Sequence, residues 1–175
     1  MNLTYKNKTM AKITFKGGPV NTCGSLPAVG AMAKDFCLTG TNLSDVSLSD
    51  FKGKRVVMNI FPSIDTGVCS TSVRRFNAEV EKMKNTTVLC ISVDLPFAHS
   101  RFCGAEGLTN VVSLSELRAR GFGEDYGVRM IDGPLAGLFS RAVVVLDETG
   151  KVIYTEQVPE IGQEPQYQPV IALLK

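Results

Sequence analysis

Residues 55–69, RVVMNIFPSIDTGVC, decide the fold of this chain. The residues before Pro62 are nearly all apolar, which is typical of a β-strand covered on both faces. The following residues, 62–68, include Pro, Ser, Asp, Thr and Gly, and this composition predicts a turn. An apolar stripe at helical spacing comes next, formed by Val73, Phe76, Val80 and Met83. The stretch therefore predicts a buried strand, a turn and an amphipathic helix, with Cys69 where the helix begins.

The segments that follow extend this pattern. Residues 87–93 are a second buried strand, and a strand, helix and strand with short connections predict two parallel strands. A shorter helix is opened by Pro96, which is tolerated in a first turn, and is ended by Gly104 and Gly107. Residues 111–114 predict a further strand, and residues 36–38 predict a short strand earlier in the chain.

The C-terminal third predicts a hairpin and a closing helix. Residues 142–147 and 152–157 are strand-like runs joined by Glu-Thr-Gly-Lys. Residues 170–174 are helical, and Pro169 is compatible with that helix only in its first turn. A parallel βαβ unit followed by an antiparallel hairpin and a helix is the thioredoxin arrangement, so we predict an α/β protein with a thioredoxin-like fold.

The N-terminal region predicts an addition to this fold. Residues 11–22, with two glycines in the middle, favour a β-hairpin extension. Residues 1–10 have the composition of a polar tail. We therefore expect one thioredoxin-like domain over residues 11–175.

Composition and charge argue against several classes of function. The chain has 175 residues, of which 44% are hydrophobic and 21% charged, with a formal net charge of +2. Scattered lysines and arginines predict no nucleic-acid surface. The apolar runs are too short for a bilayer, and the N-terminal segment lacks the apolar core of a signal peptide. We therefore expect a cytoplasmic protein that binds neither nucleic acid nor membrane and needs no cofactor or metal.

The number and spacing of the cysteines limit the kinds of cysteine chemistry that the chain can support. There are five of them, Cys23, Cys37, Cys69, Cys90 and Cys103, and no two form a CxxC pair. An odd number without CxxC argues against a secreted disulfide framework and against a zinc ribbon. In a reducing cytoplasm, a cysteine is either a small buried apolar residue or a chemically active one.

Cys69 is the first candidate for chemistry. It follows the C-terminal end of a buried parallel strand, where open α/β sheets bind ligands. Unpaired N–H groups and the helix dipole in a first helical turn favour thiolate over thiol, and the thiolate is the nucleophile. Pro62 can line a pocket without offering a competing N–H, and Thr66 can turn its hydroxyl toward the sulfur. Position alone leaves two alternatives open: Cys69 could simply pack against the sheet, and Thr66 could be an ordinary helix N-cap.

Several motifs, in order along the chain, resemble the peroxiredoxins, and within them the thiol peroxidases, or atypical two-cysteine peroxiredoxins. The motifs are FPSIDTGVC at 61–69, DLPFAHSRFCGAEG at 94–107, GPLAGL at 133–138, SRAV at 140–143, and Glu164-Pro165. The resemblance covers nearly the whole chain. It supports the thioredoxin-like fold and implies a specific activity.

The resemblance also implies roles for five residues. Cys69 matches the peroxidatic cysteine and Cys103 the resolving cysteine. Thr66 matches the hydroxyl that contacts the peroxide, and Pro62 the proline of the motif. Arg141 matches an arginine beside the thiolate, where a permanent positive charge favours the thiolate and can donate to peroxide oxygens. Without the resemblance, Arg141 would be interpreted as a surface residue at a strand end.

The implied activity is reduction of hydrogen peroxide and organic hydroperoxides to water or alcohols. Cys69 would become a sulfenic acid and then form an intrachain disulfide with Cys103, which thioredoxin would reduce. Because the two cysteines are expected in different helices, both helices must unwind locally for the disulfide to form. The family also implies a homodimer.

Two other interpretations remain open at this point. One is a thioredoxin-fold redox sensor or binding module without peroxidase turnover, and the other is a one-cysteine peroxidase that does not need Cys103. Cys37 and Cys90 are interpreted as packing residues, whereas Cys23 is the rival resolving thiol. His99, the single histidine, is interpreted as a surface side chain rather than as the partner of a protease-like cysteine.

Overall fold

The framework of the chain is a set of nine strands and four α-helices in the described residues, 10–118 and 121–175, of a computed structural model. The strands are β1 (Lys12–Phe15), β2 (Gly18–Asn21), β3 (Cys37–Gly40), β4 (Asp45–Ser47), β5 (Arg55–Ile60), β6 (Thr86–Ser92), β7 (Val111–Ser115), β8 (Ala142–Leu146) and β9 (Val152–Gln157). The helices are α1 (Gly67–Glu79), α2 (Pro96–Glu106), α3 (Phe122–Asp125) and α4 (Tyr167–Leu174).

The main sheet has seven strands in the order β4-β3-β7-β6-β5-β8-β9. At its centre β5, β6 and β7 run parallel, and α1 connects the first two of them. On either side, β8 is antiparallel to β5 and β3 is antiparallel to β7. This topology confirms the predicted βαβ unit, C-terminal hairpin and thioredoxin-like fold.

The sheet is buried on both faces, as the apolar runs predict. Alternate residues of its central strands, such as Met58 and Leu89, belong to a core that includes Phe122 of α3. The intervening residues belong to a second core with side chains of α1, α2 and α4. Because both faces are covered, the C-terminal edge of the parallel strands, where open α/β sheets bind ligands, is the place to look for a site.

Some element boundaries differ from the prediction. The α-helix of α1 ends at Glu79, and Val80–Lys82 continue as a 3₁₀ turn, although Val80 remains buried. The short helix α2 passes through Gly104 and ends at Glu106, with Gly107 as its C-cap in the left-handed conformation at a φ of +64°. Two elements, β4 and α3, were not predicted.

The predicted N-terminal hairpin is confirmed as β1 and β2. Ile13 and Val20 of the hairpin pack with Met130 and Ile161 in a small core of their own. The backbone of Thr14 accepts a hydrogen bond from Ile161 N over 2.9 Å and donates to Pro159 O over 2.7 Å. The hairpin is therefore bonded directly to the segment that follows β9. Of the predicted polar tail, residues 1–9 lie outside the described residues.

Glu160 strengthens this attachment. Its carboxylate accepts hydrogen bonds from the Gly162 N–H, the Thr14 hydroxyl and the Gly17 N–H. These donors, with Gly162 contributing most, lower the pKa of Glu160 to about 2. The carboxylate therefore stays ionised, and the attachment stays intact, throughout the physiological pH range.

None of the helices in the described part of the chain is long and apolar enough to cross a membrane.

Candidate active site

Cys69 lies in the first turn of α1, which follows the loop after the C-terminal end of β5, and is fully buried. The first amide groups of an α-helix have no acceptor within the helix, and they carry the positive end of its dipole. Both effects favour a negative charge on the sulfur. The predicted position of Cys69 at the start of the helix is therefore the observed one.

Thr66 occupies the N-cap position of α1, but its side chain makes no capping hydrogen bond. The hydroxyl instead lies 2.8 Å from Cys69 Sγ and 3.0 Å from Ser63 O. A hydroxyl has one proton, so Thr66 can donate to only one of these acceptors at a time. Of the two roles considered for Thr66, the geometry favours contact with the sulfur over capping of the helix.

Arg141 precedes β8, whose residue Ala142 pairs with Ile60 of β5. This register brings the arginine to the edge of the sheet where Cys69 lies. The guanidinium donates from Nη2 to Cys69 Sγ over 3.3 Å and from Nε to Ile161 O over 3.1 Å. The side chain is only 2% exposed, so its interpretation as a surface residue, made from the sequence without the family resemblance, is wrong.

The positive charge of Arg141 is buried near the sulfur of Cys69. Among the described residues it forms no ion pair with a carboxylate, and its buried Nη1 has no hydrogen-bond partner. An unpaired buried charge is costly. The nearby sulfur compensates the guanidinium best when it is a thiolate, and Nη1 remains able to donate to a second group.

Pro62 is buried at the point where the chain leaves β5. It has no N–H to compete for the sulfur or for an incoming oxygen. The structure thus brings Thr66 and Arg141 to the sulfur of Cys69, with Pro62 on the same loop. Two donors converge on one buried sulfur, which is an arrangement that can stabilise a thiolate and charge on a departing oxygen.

Comparison with known proteins identifies the family. The redoxin family model matches residues 28–171. The chain belongs to the redoxin family. Within it, the chain is 56% identical over 165 residues to the thiol peroxidases of Mycobacterium bovis and Mycobacterium tuberculosis, which covers 94% of this chain and 99% of theirs.

Solved structures have a similar fold. A peroxiredoxin-like protein from Aquifex aeolicus has a TM-score of 0.88 at 37% identity, covering 94% of this chain and 96% of that one. A thiol peroxidase from Chromobacterium violaceum, at 23% identity, shares the fold with a TM-score of 0.86 over 93% and 94% of the two chains. The predicted resemblance to thiol peroxidases is confirmed, and this redoxin is a thiol-dependent peroxidase.

Cys103 lies on α2 and is half-buried. Its Sγ is 3.5 Å from the hydroxyl of Ser113 on β7. It packs against the core cluster that contains Cys69, yet no disulfide joins the two cysteines. Cys69 and Cys103 are thus held in separate intact helices above the same face of the sheet.

The other three cysteines have distinct environments. Cys90 is fully buried in β6, and burial raises the pKa of its thiol to about 12, so it is inert at neutral pH. Cys23 is also buried, and its thiol donates to Gly123 O over 3.2 Å. Cys37 is exposed, and the prediction that it packs in the core is wrong. Phe36 and Leu38 face the core, so the residue between them in the strand points outward.

His99 also departs from the prediction, because it is fully buried rather than on the surface. It bonds to Ser92, which bonds in turn to Asp94, and Asp94 accepts hydrogen bonds from the loop before Cys69. Sequence reasoning missed this network. The available signal was the position of Asp94, a carboxylate just after the end of a buried parallel strand.

Thr66→Val is expected to reduce the rate of peroxide reduction about tenfold or more while leaving a folded protein. Valine keeps the shape of threonine but removes the hydrogen bond to the sulfur, and hydrogen bonds to charged groups contribute about 1.5–3 kcal/mol. The measurement is kcat/KM for hydrogen peroxide. Thr66→Ser, which keeps a hydroxyl, is the control and should retain most of the activity. Equal loss in both variants would argue against a role for the hydroxyl.

Proposed function

We propose that Cys69 is the peroxidatic nucleophile of this redoxin. The thiolate attacks one oxygen of a hydroperoxide, ROOH, and the O–O bond breaks. Cys69 becomes a sulfenic acid, and the departing RO⁻ takes up a proton to leave as an alcohol or as water. Thr66 and Arg141 orient the peroxide and stabilise the charge on the departing oxygen, and Pro62 shields the sulfur from the side.

The observation that carries this proposal is the convergence on Cys69 Sγ of the Thr66 hydroxyl at 2.8 Å and Arg141 Nη2 at 3.3 Å. Nη1 of the same guanidinium has no partner among the described residues, so a donor is available for a peroxide oxygen. Because these groups are fixed before substrate arrives, little reorganisation is needed at the moment of attack.

In the second half of the proposed cycle, Cys103 is the resolving cysteine. Its thiol condenses with the Cys69 sulfenic acid, which forms a disulfide within the chain and releases water. Disulfide geometry requires Cα atoms within about 7 Å, and both thiols lie in helices. We therefore propose that the first turn of α1 and the part of α2 around Cys103 unwind for this step.

The remaining parts of the proposal follow from the family. The substrates are hydrogen peroxide and organic hydroperoxides, and the reductant of the disulfide is thioredoxin, a dithiol that exchanges with it. The protein acts as a cytoplasmic homodimer in which residues 11–175 form the peroxiredoxin domain. It uses no cofactor or metal.

A coupled assay tests the function. Purified protein, thioredoxin and thioredoxin reductase should consume hydrogen peroxide and a bulky alkyl hydroperoxide with continuous NADPH oxidation. A redox sensor without turnover would instead consume one equivalent of peroxide and stop even when the thioredoxin system is present. Analytical ultracentrifugation of the purified protein alone reports whether it is a dimer.

Cys103→Ser is expected to consume one equivalent of peroxide and then stall with thioredoxin, because no intrachain disulfide forms. Peptide mapping of the oxidised wild-type protein should find a Cys69–Cys103 link in a band of monomer size on a non-reducing gel. Cys23→Ser is the matched control and should turn over normally. A Cys69–Cys23 link would assign the resolving role to Cys23, and full turnover by Cys103→Ser would establish the one-cysteine mechanism.

A further inference from the structure

His99 is the single histidine of the chain, and it is fully buried near the start of α2. It precedes Cys103 by one helical turn, so the two side chains lie on the same side of the helix. The imidazole packs edge-on against Phe61, with 6.1 Å between the ring centres. His99 therefore lies between the helix that carries Cys103 and the end of β5, where the loop leading to Cys69 begins.

The hydrogen bonds of His99 determine its tautomer. Ser92 Oγ donates to Asp94 Oδ2 over 2.7 Å, so its single proton is already used. The bond of 2.9 Å between His99 Nε2 and Ser92 Oγ must then be donated by Nε2–H. In a neutral imidazole this leaves Nδ1 without a proton, and Nδ1 is buried with no partner among the described residues.

Asp94 connects this histidine to the loop that precedes Cys69. Its Oδ1 accepts from the Ser63 hydroxyl over 2.8 Å, and its Oδ2 accepts from the Ile64 N–H over 2.7 Å. A second, exposed link joins the same two segments, because Arg101 of α2 forms an ion pair with Asp65 of the loop. The helix with Cys103 is thus attached to the loop with Thr66 by a buried network and by a surface ion pair.

We infer that His99 is a positioning residue for disulfide formation: through Ser92 and Asp94 it holds α2 against the loop before Cys69, and this link must open before Cys103 can reach the sulfenic acid. The inference rests on the proposed Cys69–Cys103 disulfide. In the closed form the link keeps both helices intact and the peroxide site assembled. In the open form α2 is free to unwind and present Cys103.

The link is sensitive to the charge of His99. The carboxylates of Asp94 and Asp65 favour the imidazolium, but burial outweighs them and lowers the pKa of His99 below its ordinary value. Of the other ionisable groups on α2, Arg101 is paired with Asp65, Cys103 lies one turn further along, and Glu106 at the end of the helix is paired with Arg74. Protonation would place an N–H at Nδ1, where no acceptor lies within reach among the described residues.

The lowered pKa of His99 determines how the stability of the closed form changes with pH. A histidine whose pKa is lower in the closed form binds more protons in the open form, so the closed form loses stability as the pH falls below about 6.5. Opening linked to one proton is favoured by up to about tenfold for each pH unit in that range. Acid should therefore speed disulfide closure in the wild-type protein relative to a variant that cannot be protonated at this position.

The test compares wild-type protein with His99→Gln, whose amide can still donate to Ser92 but takes up no proton. After mixing with one equivalent of hydrogen peroxide, quenched-flow alkylation and mass spectrometry separate sulfenic acid formation from disulfide closure. The wild-type to His99→Gln ratio of closure rates should rise roughly three- to tenfold between about pH 7.5 and about pH 5.5. Because Cys103 is present in both proteins, its own ionisation cancels in the ratio.

Two further variants separate positioning from a general structural role. His99→Leu removes the link at every pH, so its disulfide should close several-fold faster than that of wild type at about pH 7.5. The ratio of its closure rate to that of His99→Gln should not change with pH. Ser100→Gly, at an exposed neighbour, weakens α2 through helix propensity alone and should keep the wild-type pH profile.

The outcomes distinguish this inference from the proposed function. If wild-type protein forms no Cys69–Cys103 disulfide at either pH, the two-cysteine mechanism itself fails. If the disulfide forms but the wild-type to His99→Gln ratio stays flat with pH, the role given to His99 is wrong and the mechanism stands.

Discussion

Cys69→Ser is expected to lose all peroxide reduction, to the level of a protein-free blank, while keeping its fold. A serine hydroxyl is not deprotonated at neutral pH, even beside Arg141 and at a helix N-terminus, so no nucleophile remains. Steady-state turnover with the thioredoxin system and the consumption of the first equivalent of peroxide should both disappear. Circular dichroism and thermal unfolding establish that the variant is folded.

Cys37→Ser provides the matched control, since it removes an exposed thiol on β3 that lies outside the proposed site. This variant should turn over at the wild-type rate. Residual turnover in Cys69→Ser above the blank would mean that another thiol carries the reaction, and the proposed function would have to be abandoned.

Arg141→Met should lower kcat/KM for hydrogen peroxide about 10²–10³-fold. Methionine has similar length but offers no charge and no donor, so the variant loses the hydrogen bond to Cys69 Sγ and the unpartnered donor at Nη1. Removing one preorganised donor to a developing charge costs about that factor in other enzymes. The guanidinium is buried without a carboxylate partner, so removing its charge should offset part of the cost of leaving Ile161 O without its donor, and stability should fall only modestly.

A second reagent separates the two actions of Arg141. Iodoacetamide reacts with a thiolate but has no peroxide oxygen to orient, so its rate with Arg141→Met should fall far less than the peroxide rate. Arg141→Lys keeps the charge without the planar pair of donors, and it should recover only part of the activity. Equal losses with iodoacetamide and peroxide would restrict the arginine to stabilising the thiolate.

The parts of the fold that could be predicted are those with strong local patterns. The apolar runs of β5 and β6 and the helical stripe after Cys69 each specify their own element, and their order specifies the βαβ unit. The strand β4 and the helix α3 are three and four residues long and carry no such pattern. Their formation depends on contacts with other elements, such as the pairing of β4 with β3.

The residues of the candidate site also divide into those that a local sequence pattern predicts and those that it does not. The positions of Cys69 and Thr66 follow from the local strand, turn and helix. Arg141 comes from 72 residues further along the chain, and only the family resemblance pointed to it. His99 was misassigned because its residue type suggests the surface, whereas its burial is produced by Phe61 and Ser92 of other elements.

The N-terminal hairpin is connected through hydrogen bonds to the arginine that contacts Cys69. Arg141 Nε is held by the carbonyl of Ile161, and the amide of the same residue is held by Thr14 of β1. The guanidinium is thus bonded to a peptide that is itself bonded to the hairpin. The ionised carboxylate of Glu160 adds further hydrogen bonds to the hairpin. A hairpin that ends at Asn21, far before Cys69 in the chain, therefore helps to hold Arg141 in place. Under the proposed function, substitutions in the hairpin should therefore affect peroxide reduction as well as folding.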